Sequence, residues 1–211
     1  MKKSATPLII LALFVTGCTG SDDLAALELH PATPAPCFVD VEETLADVVG
    51  VLFEQRRTDS GLGPIDSPSG GSVATCSVRF VSERLEAPGE PWERSISVQY
   101  SLASTAGSPA ESVEEARQSY RRDLNAAPEA AQLRTIAAGD EGTSWNQDGT
   151  FAGGHAAFVH RNLAVKIHIE GSDSADSADS NLRPMSQEDA QGDATRLAEA
   201  IANSLSETPP R

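Results

Sequence analysis

The sequence predicts an α+β domain: an antiparallel sheet of about five strands covered by helices, in the order αββαβββα. Three observations predict it. Apolar and polar residues alternate with period two at Cys76–Phe80 and Ser95–Leu102, the pattern of strands with one buried and one wet face. Apolar residues recur at helical spacing over Val41–Leu52, Val113–Leu124 and Ala190–Leu205. The strands follow one another in hairpins, so the sheet is antiparallel and each helix stripe must cover its buried face.

Taken in order, the chain opens with Met1-Lys2-Lys3, an apolar run Leu8–Val15, and the small residues Thr16-Gly17 before Cys18. The apolar run is too short to span a bilayer, which needs about 20 residues. Residues 1–17 therefore read as a lipoprotein signal peptide, cut before a Cys18 that carries the lipid. Residues 18–36, with three prolines between His30 and Pro36, read as a tether. A single domain is expected over 37–206, with a loose tail at 207–211.

Within that domain, Asp40 with Glu43 three residues later resembles a capping box before the first helix. Thr58–Gly71 is rich in Gly, Pro, Ser and Asp and reads as a long loop. The strands Cys76–Phe80 and Ser95–Leu102 follow, joined by a loop at Glu86–Pro91. Ser108-Pro109-Ala110-Glu111 is the clearest local signal, an N-cap, a first-turn proline and a capping-box glutamate. Its helix ends before Pro128. Ile136–Trp145 carries the turn Gly139-Asp140-Glu141-Gly142. A hairpin then pairs Ala156 and Phe158 with Leu163–Ile169 across Arg161-Asn162, with Ala164, Lys166, His168 and Glu170 on its other face. Residues 171–184 hold the near-repeat Asp-Ser-Ala-Asp-Ser-Ala-Asp-Ser and read as a low-complexity loop. The last helix is expected from Gln187 to Ser204.

The formal charge of −15 repels phosphate backbones and anionic lipid headgroups, which disfavours nucleic acid as a partner. Lys166 is the only lysine after Lys3, so any Schiff-base or phosphate-binding lysine of the mature chain would have to be that one. Cys37 and Cys76 remain once Cys18 is lipidated. In an exported chain they are expected to form a disulfide; two free thiols or a metal pair are the alternatives.

No G-x-S-x-G, H-E-x-x-H, G-x-x-x-x-G-K or C-x-x-C motif is present, and the residue three before Lys166 is Leu163 rather than Ser. No catalytic residue, metal site or cofactor is assigned, and the ligand-binding residues stay unknown. His155, His160 and His168 lack a carboxylate or cysteine at ligand spacing and read as ordinary surface histidines. Asp173, Asp176 and Asp179 recur every third residue, whereas a calcium loop wants alternate oxygens and a glycine at its sixth position. Asp140 and Glu141 are adjacent, so they point apart on a strand and suit a structural turn better than a catalytic pair. Trp92, Trp145 and Phe151 are expected to pack at the sheet edge; an exposed recognition surface is the alternative.

The lipobox, the Pro-rich tether, Pro36-Cys37 opening a helix, Cys76 opening a strand, the Gly139-Asp140-Glu141 turn, the Val159-His160-Arg161-Asn162-Leu163-Ala164-Val165 hairpin and the Ala-rich closing helix together resemble a family. It is that of secreted actinobacterial lipoproteins of unknown function with a paired-cysteine domain, whose relatives include LpqN-type proteins with a PsbP-like α+β fold. The likeness spans about residues 36–206. It implies a structural disulfide between Cys37 and Cys76 and no catalytic set.

The function expected is that of a lipoprotein anchored in the cell membrane through Cys18, facing outward, and binding an envelope protein or a small-molecule ligand without catalysis. The alternatives are an enzyme that works on the envelope with carboxylates, or an accessory subunit of a transporter or sensor kinase.

Overall fold

The computed structural model describes residues 28–34, 37–67, 70–84, 87–148, 153–175 and 182–207. Residues 1–17, read as a signal peptide, and Cys18, Phe151, Asp176 and Asp179 lie outside them.

Alternation builds the centre. Strands β2 (Ser72–Val81), β3 (Pro91–Leu102), β6 (Gly153–His160) and β7 (Leu163–Asp173) pair antiparallel in the order β2-β3-β7-β6, and β5 (Glu141–Gln147) joins β6. The sequence locates β2, β3, β6 and β7; β5 overlaps the stretch Ile136–Trp145, which it reads as a turn-bearing transition. Three more complete an eight-stranded sheet: β1 (Arg56–Asp66) beside β2, β4 (Arg134–Thr135) beside β5, and β8 (Arg183–Pro184) beside β7. The expected loop at Thr58–Gly71 is thus corrected. β1 pairs residue for residue with β2 from Arg56 to Leu62, slips at Leu62/Ile65, and resumes to Asp66. It is exposed almost throughout, so no face of it needed apolar alternation, and its Gly, Pro and Asp suit an edge strand. β4 and β8 are two residues each, too short to leave a pattern.

Helix α1 (Glu42–Val49) and helix α3 (Gln187–Glu207) cover one face of the sheet. Leu45, Val49, Leu197 and Ile201 pack there against Val78, Phe80, Ile96, Val98, Phe158 and Ile167 in one cluster. Helix α2 (Pro109–Asn125) crosses the opposite face, where Ala116 and Tyr120 meet Trp145, Ala157 and Val159. The sheet is therefore covered from both sides over β5 and β6, a correction to the expectation of one buried face. β6 is buried at every position but its first, which is why no clean alternation marks it.

Local signals fare differently at the helix starts. Ser108 caps α2 as read: its hydroxyl accepts from the Glu111 N–H, and the Glu111 carboxylate accepts from the Ser108 N–H at 2.7 Å. Asp40 caps nothing, because a 3-10 turn at Val39–Val41 precedes α1 and moves the cap position to Val41. Cys37 and Cys76 are disulfide-bonded, with Cα atoms 6.2 Å apart, and tie the approach to α1 onto β2. Gly154 lets α3 lie directly on β6, since a Cβ there would fall on the Ala190 carbonyl. No helix among the described residues is long and apolar enough to cross a membrane.

The expected tether is also revised at its end. His30 and Thr33 are buried. Residues 28–34 are strapped to the β6–β7 turn by four contacts: His30 N–H to Asn162 Oδ1 at 2.8 Å, Asn162 Nδ2 to His30 O at 3.0 Å, Arg161 Nη1 to Glu28 O at 2.7 Å, and a bond between the His30 and His160 rings at 2.8 Å.

Candidate functional site

Beyond α2, toward β3 and β2, the polar face of the sheet stays half-buried at Ser97, Gln99, Thr75 and Ser77. The strand register defines what that face presents. Trp145 on β5 pairs with His155 on β6, His155 with His168 on β7, His168 with Ser97 on β3, and Ser97 with Ser77 on β2. Residues directly opposite share a face, so these side chains form one row across five strands. The next row runs Ala157, Lys166, Gln99, Thr75.

The first three members of the row are rings stacked face to face. Trp145 and His155 have centroids 5.3 Å apart and planes within 7°; His155 and His168 are 4.4 Å apart and within 12°. The C-terminal end of α2 walls the site. Asp123 accepts from Lys166 Nζ at 3.2 Å, which holds the ammonium beside the ring ladder. Together with Ser97, Gln99, Thr75 and Gln147 these groups line a cleft of about 360 Å³. Trp145 is 2% exposed, and its indole N–H finds no hydrogen-bond partner among the described residues. Polar groups of every kind converge here, with a single carboxylate among them.

The structure sorts the histidines unlike the sequence. His155 and His160 are buried rather than on the surface, and His168 is half-buried. His155 and His168 are brought together; His160 lies on the other face of β6, near the end of α3. His160 Nε2 lies 3.4 Å from the Ser206 hydroxyl, while its Nδ1 meets His30. The line Ser206–His160–His30 has the outline of a nucleophile, a base and an orienting group. Its chemistry argues otherwise. Ser206 donates to the Ala202 carbonyl at 2.8 Å, and it sits in the last turn of α3, where outward carbonyls repel a developing oxyanion. Burial, and then the neighbouring His160 and Arg161, lower the pKa of His30 to about 4; burial likewise lowers that of His160. Both rings are neutral at pH 7.

A second cleft, of about 450 Å³, is lined by β1 residues including Gly61 and by the disulfide. It brings Glu42 and Asp59 together, but around Arg57: the guanidinium bonds Glu42 at 2.6 Å and Asp59 at 3.0 Å and lies over the Phe80 ring. Both carboxylates are spent on that cation. Asp140 accepts from the Arg161 N–H at 2.7 Å, and Glu141 faces Arg117, so this pair serves the turn. Asp173 bonds the buried Arg94 at 2.6 Å. Among the described residues no group of three His, Cys, Asp or Glu is placed to hold a metal. Trp145 packs within the second core cluster, and Trp92 is half-buried at the start of β3.

Gln99, Ser97 and Thr75 were not singled out by the sequence. The alternation places each on the polar face, yet nothing local tells which of them faces Lys166 and His168, because β3 and β7 are separated by α2 and three strands. Comparison with family models, with curated proteins and with solved structures finds no match to this chain.

Proposed function

We propose that this chain is an outward-facing lipoprotein, anchored in the cell membrane through a lipid on Cys18 after removal of residues 1–17, that binds a small molecule in the cleft beside α2. The observation that carries the binding reading is the convergence of the Trp145–His155–His168 ladder with Lys166, Gln99 and Ser97 in one roomy, partly apolar cleft. The anchor rests on the charged start, the short apolar run and the small residues before Cys18. The resemblance to actinobacterial envelope lipoproteins with paired cysteines supports the anchor and says nothing of the ligand. The strap at residues 28–34 would bring the anchoring chain off the domain at the β6–β7 turn, on the face of β6 away from the cleft.

Binding supports this function better than catalysis. The cleft lines up one carboxylate, Asp123, and it is paired with Lys166. Two measurements test the proposal. Intact mass of the protein taken from membranes should show diacylglycerol on Cys18; an unlipidated mass would remove the anchor. The chain has two tryptophans, and Trp92 is absent from the cleft lining. In a screen of small polar fragments the Trp145 indole N–H signal should move while that of Trp92 stays still. Fragments that move only residues lining the Arg57 cleft would refute the site.

A further inference from the structure

We infer that the cleft takes a small planar aromatic ring with a carboxylate or carbonyl acceptor on its edge, stacked on His168 above Ser97 as the fourth ring of the ladder. The inference rests on the binding reading above and names its ligand class.

Neighbouring strands stand about 4.8 Å apart, and stacked aromatic rings prefer centroid separations of roughly 4.5–7 Å. A row of rings on successive strands therefore stacks at the sheet's own repeat, as Trp145, His155 and His168 do. The row continues on β3 and β2, but there it carries Ser97 and Ser77. A hydroxymethyl group leaves the height of a ring above it, and Ser97 lines the cleft. A ring seated over Ser97 would stand one strand repeat from His168, in register with the ladder.

The adjoining row sets the edge chemistry. Lys166 pairs with Gln99, and Gln99 with Thr75, so an ammonium, an amide and a hydroxyl run alongside the slot. An ammonium offers three donors, and Asp123 engages one of them. The amide of Gln99 donates to the Ser101 hydroxyl, which holds it along the floor. Lys166 is the one lysine or arginine among the lining residues, and its remaining N–H donors favour a ligand edge that accepts. The ladder itself favours π-faced ligands over puckered ones, since imidazole against an aromatic ring gains from stacking that a saturated ring lacks.

The test uses the full-length chain with ¹³C-labelled histidine and two probes matched in charge and size, benzoate and cyclohexanecarboxylate, with glucose as a polar non-aromatic control. Benzoate should move the His168 and His155 ring signals saturably, with the stronger shift at His168. Cyclohexanecarboxylate should bind at least about tenfold more weakly. The variant S97F supplies its own fourth ring: it should keep its Tm and lose benzoate binding. K166Q, which leaves the slot open, should weaken benzoate several-fold while the ladder signals keep their positions. Equal binding of both carboxylates, undiminished in S97F, would overturn the ring slot while leaving a ligand cleft. Movement of the cleft signals by glucose alone would do the same. No response of these histidines to any probe would overturn both the slot and the reading on which it rests.

Discussion

Acidification should undo the strap at residues 28–34 before it unfolds the domain. His30 is buried against His160, with the Arg161 cation and the Asp140 carboxylate nearby, and Ser206 completes the contacts of His160. At pH 7 both rings are neutral, so one donates and the other accepts across 2.8 Å. Burial first, then His160 and the Arg161 cation, hold His30 at about 4 against an ordinary 6.5; Asp140 opposes this but does not prevail. The undocked strap has the ordinary value, so it binds protons that the docked strap refuses. The contribution to docking is therefore complete above about pH 6.5 and is lost as the pH falls through about 4. At ~1.36 kcal/mol per pKa unit the full difference is worth about 3.4 kcal/mol. Water reaches part of the pair, and screening reduces the figure to about 1–2 kcal/mol. Amide exchange of His30, whose N–H is held by Asn162, reads the docking directly. After correction for intrinsic rates, protection at His30 should fall by about tenfold or more between pH 7 and 4, while amides of β3 and β7 keep theirs. H30Q should flatten that pH dependence. Constant protection across the range, or a His30 ring titrating at its ordinary value, would refute the reasoning.

Other outcomes follow from the packing. Removing both cysteines as C37A/C76A should cost about 4 kcal/mol by urea denaturation, the chain-entropy value for a loop of 39 residues. S108A should cost about 1 kcal/mol, because the Glu111 N–H loses its acceptor; chevron kinetics would read it, and a loss under a few tenths would mean that the cap is redundant. G154A should lower stability by roughly 1–3 kcal/mol or more, since the new methyl meets backbone of α3 rather than a movable side chain; calorimetry showing an unchanged Tm would mean that α3 does not lie on β6 as described.

How much of this was legible follows from how each element earns its stability. β2, β3 and β7 have one dry and one wet face, and their alternation reads directly. The Ser108 box was legible because four consecutive residues carry the whole motif. β1 was not, since an edge strand with both faces in water is held by backbone bonds to β2 and leaves no apolar signature in Arg-Arg-Thr-Asp-Ser-Gly. Asp40 misled because a capping box is a pattern of two residues, and it is satisfied only if the chain between them is already helical. Of the site, the sequence marked His155, His168, Lys166 and Trp145 separately and placed His168 and Lys166 on the polar face. Their convergence needed the register of β3 with β7 and the path of α2, both fixed by tertiary packing. The burial of His155 was hidden for the same reason: what covers it comes from β5 and β7.

The most direct test of the account is crystallographic. Crystals of the chain from residue 18 onward, soaked with a library of small planar and non-planar fragments, should show density above Ser97, flat against His168, for the planar acids. Density confined to the cleft between β1 and the disulfide, with the space above Ser97 left to solvent, would contradict the binding site proposed here.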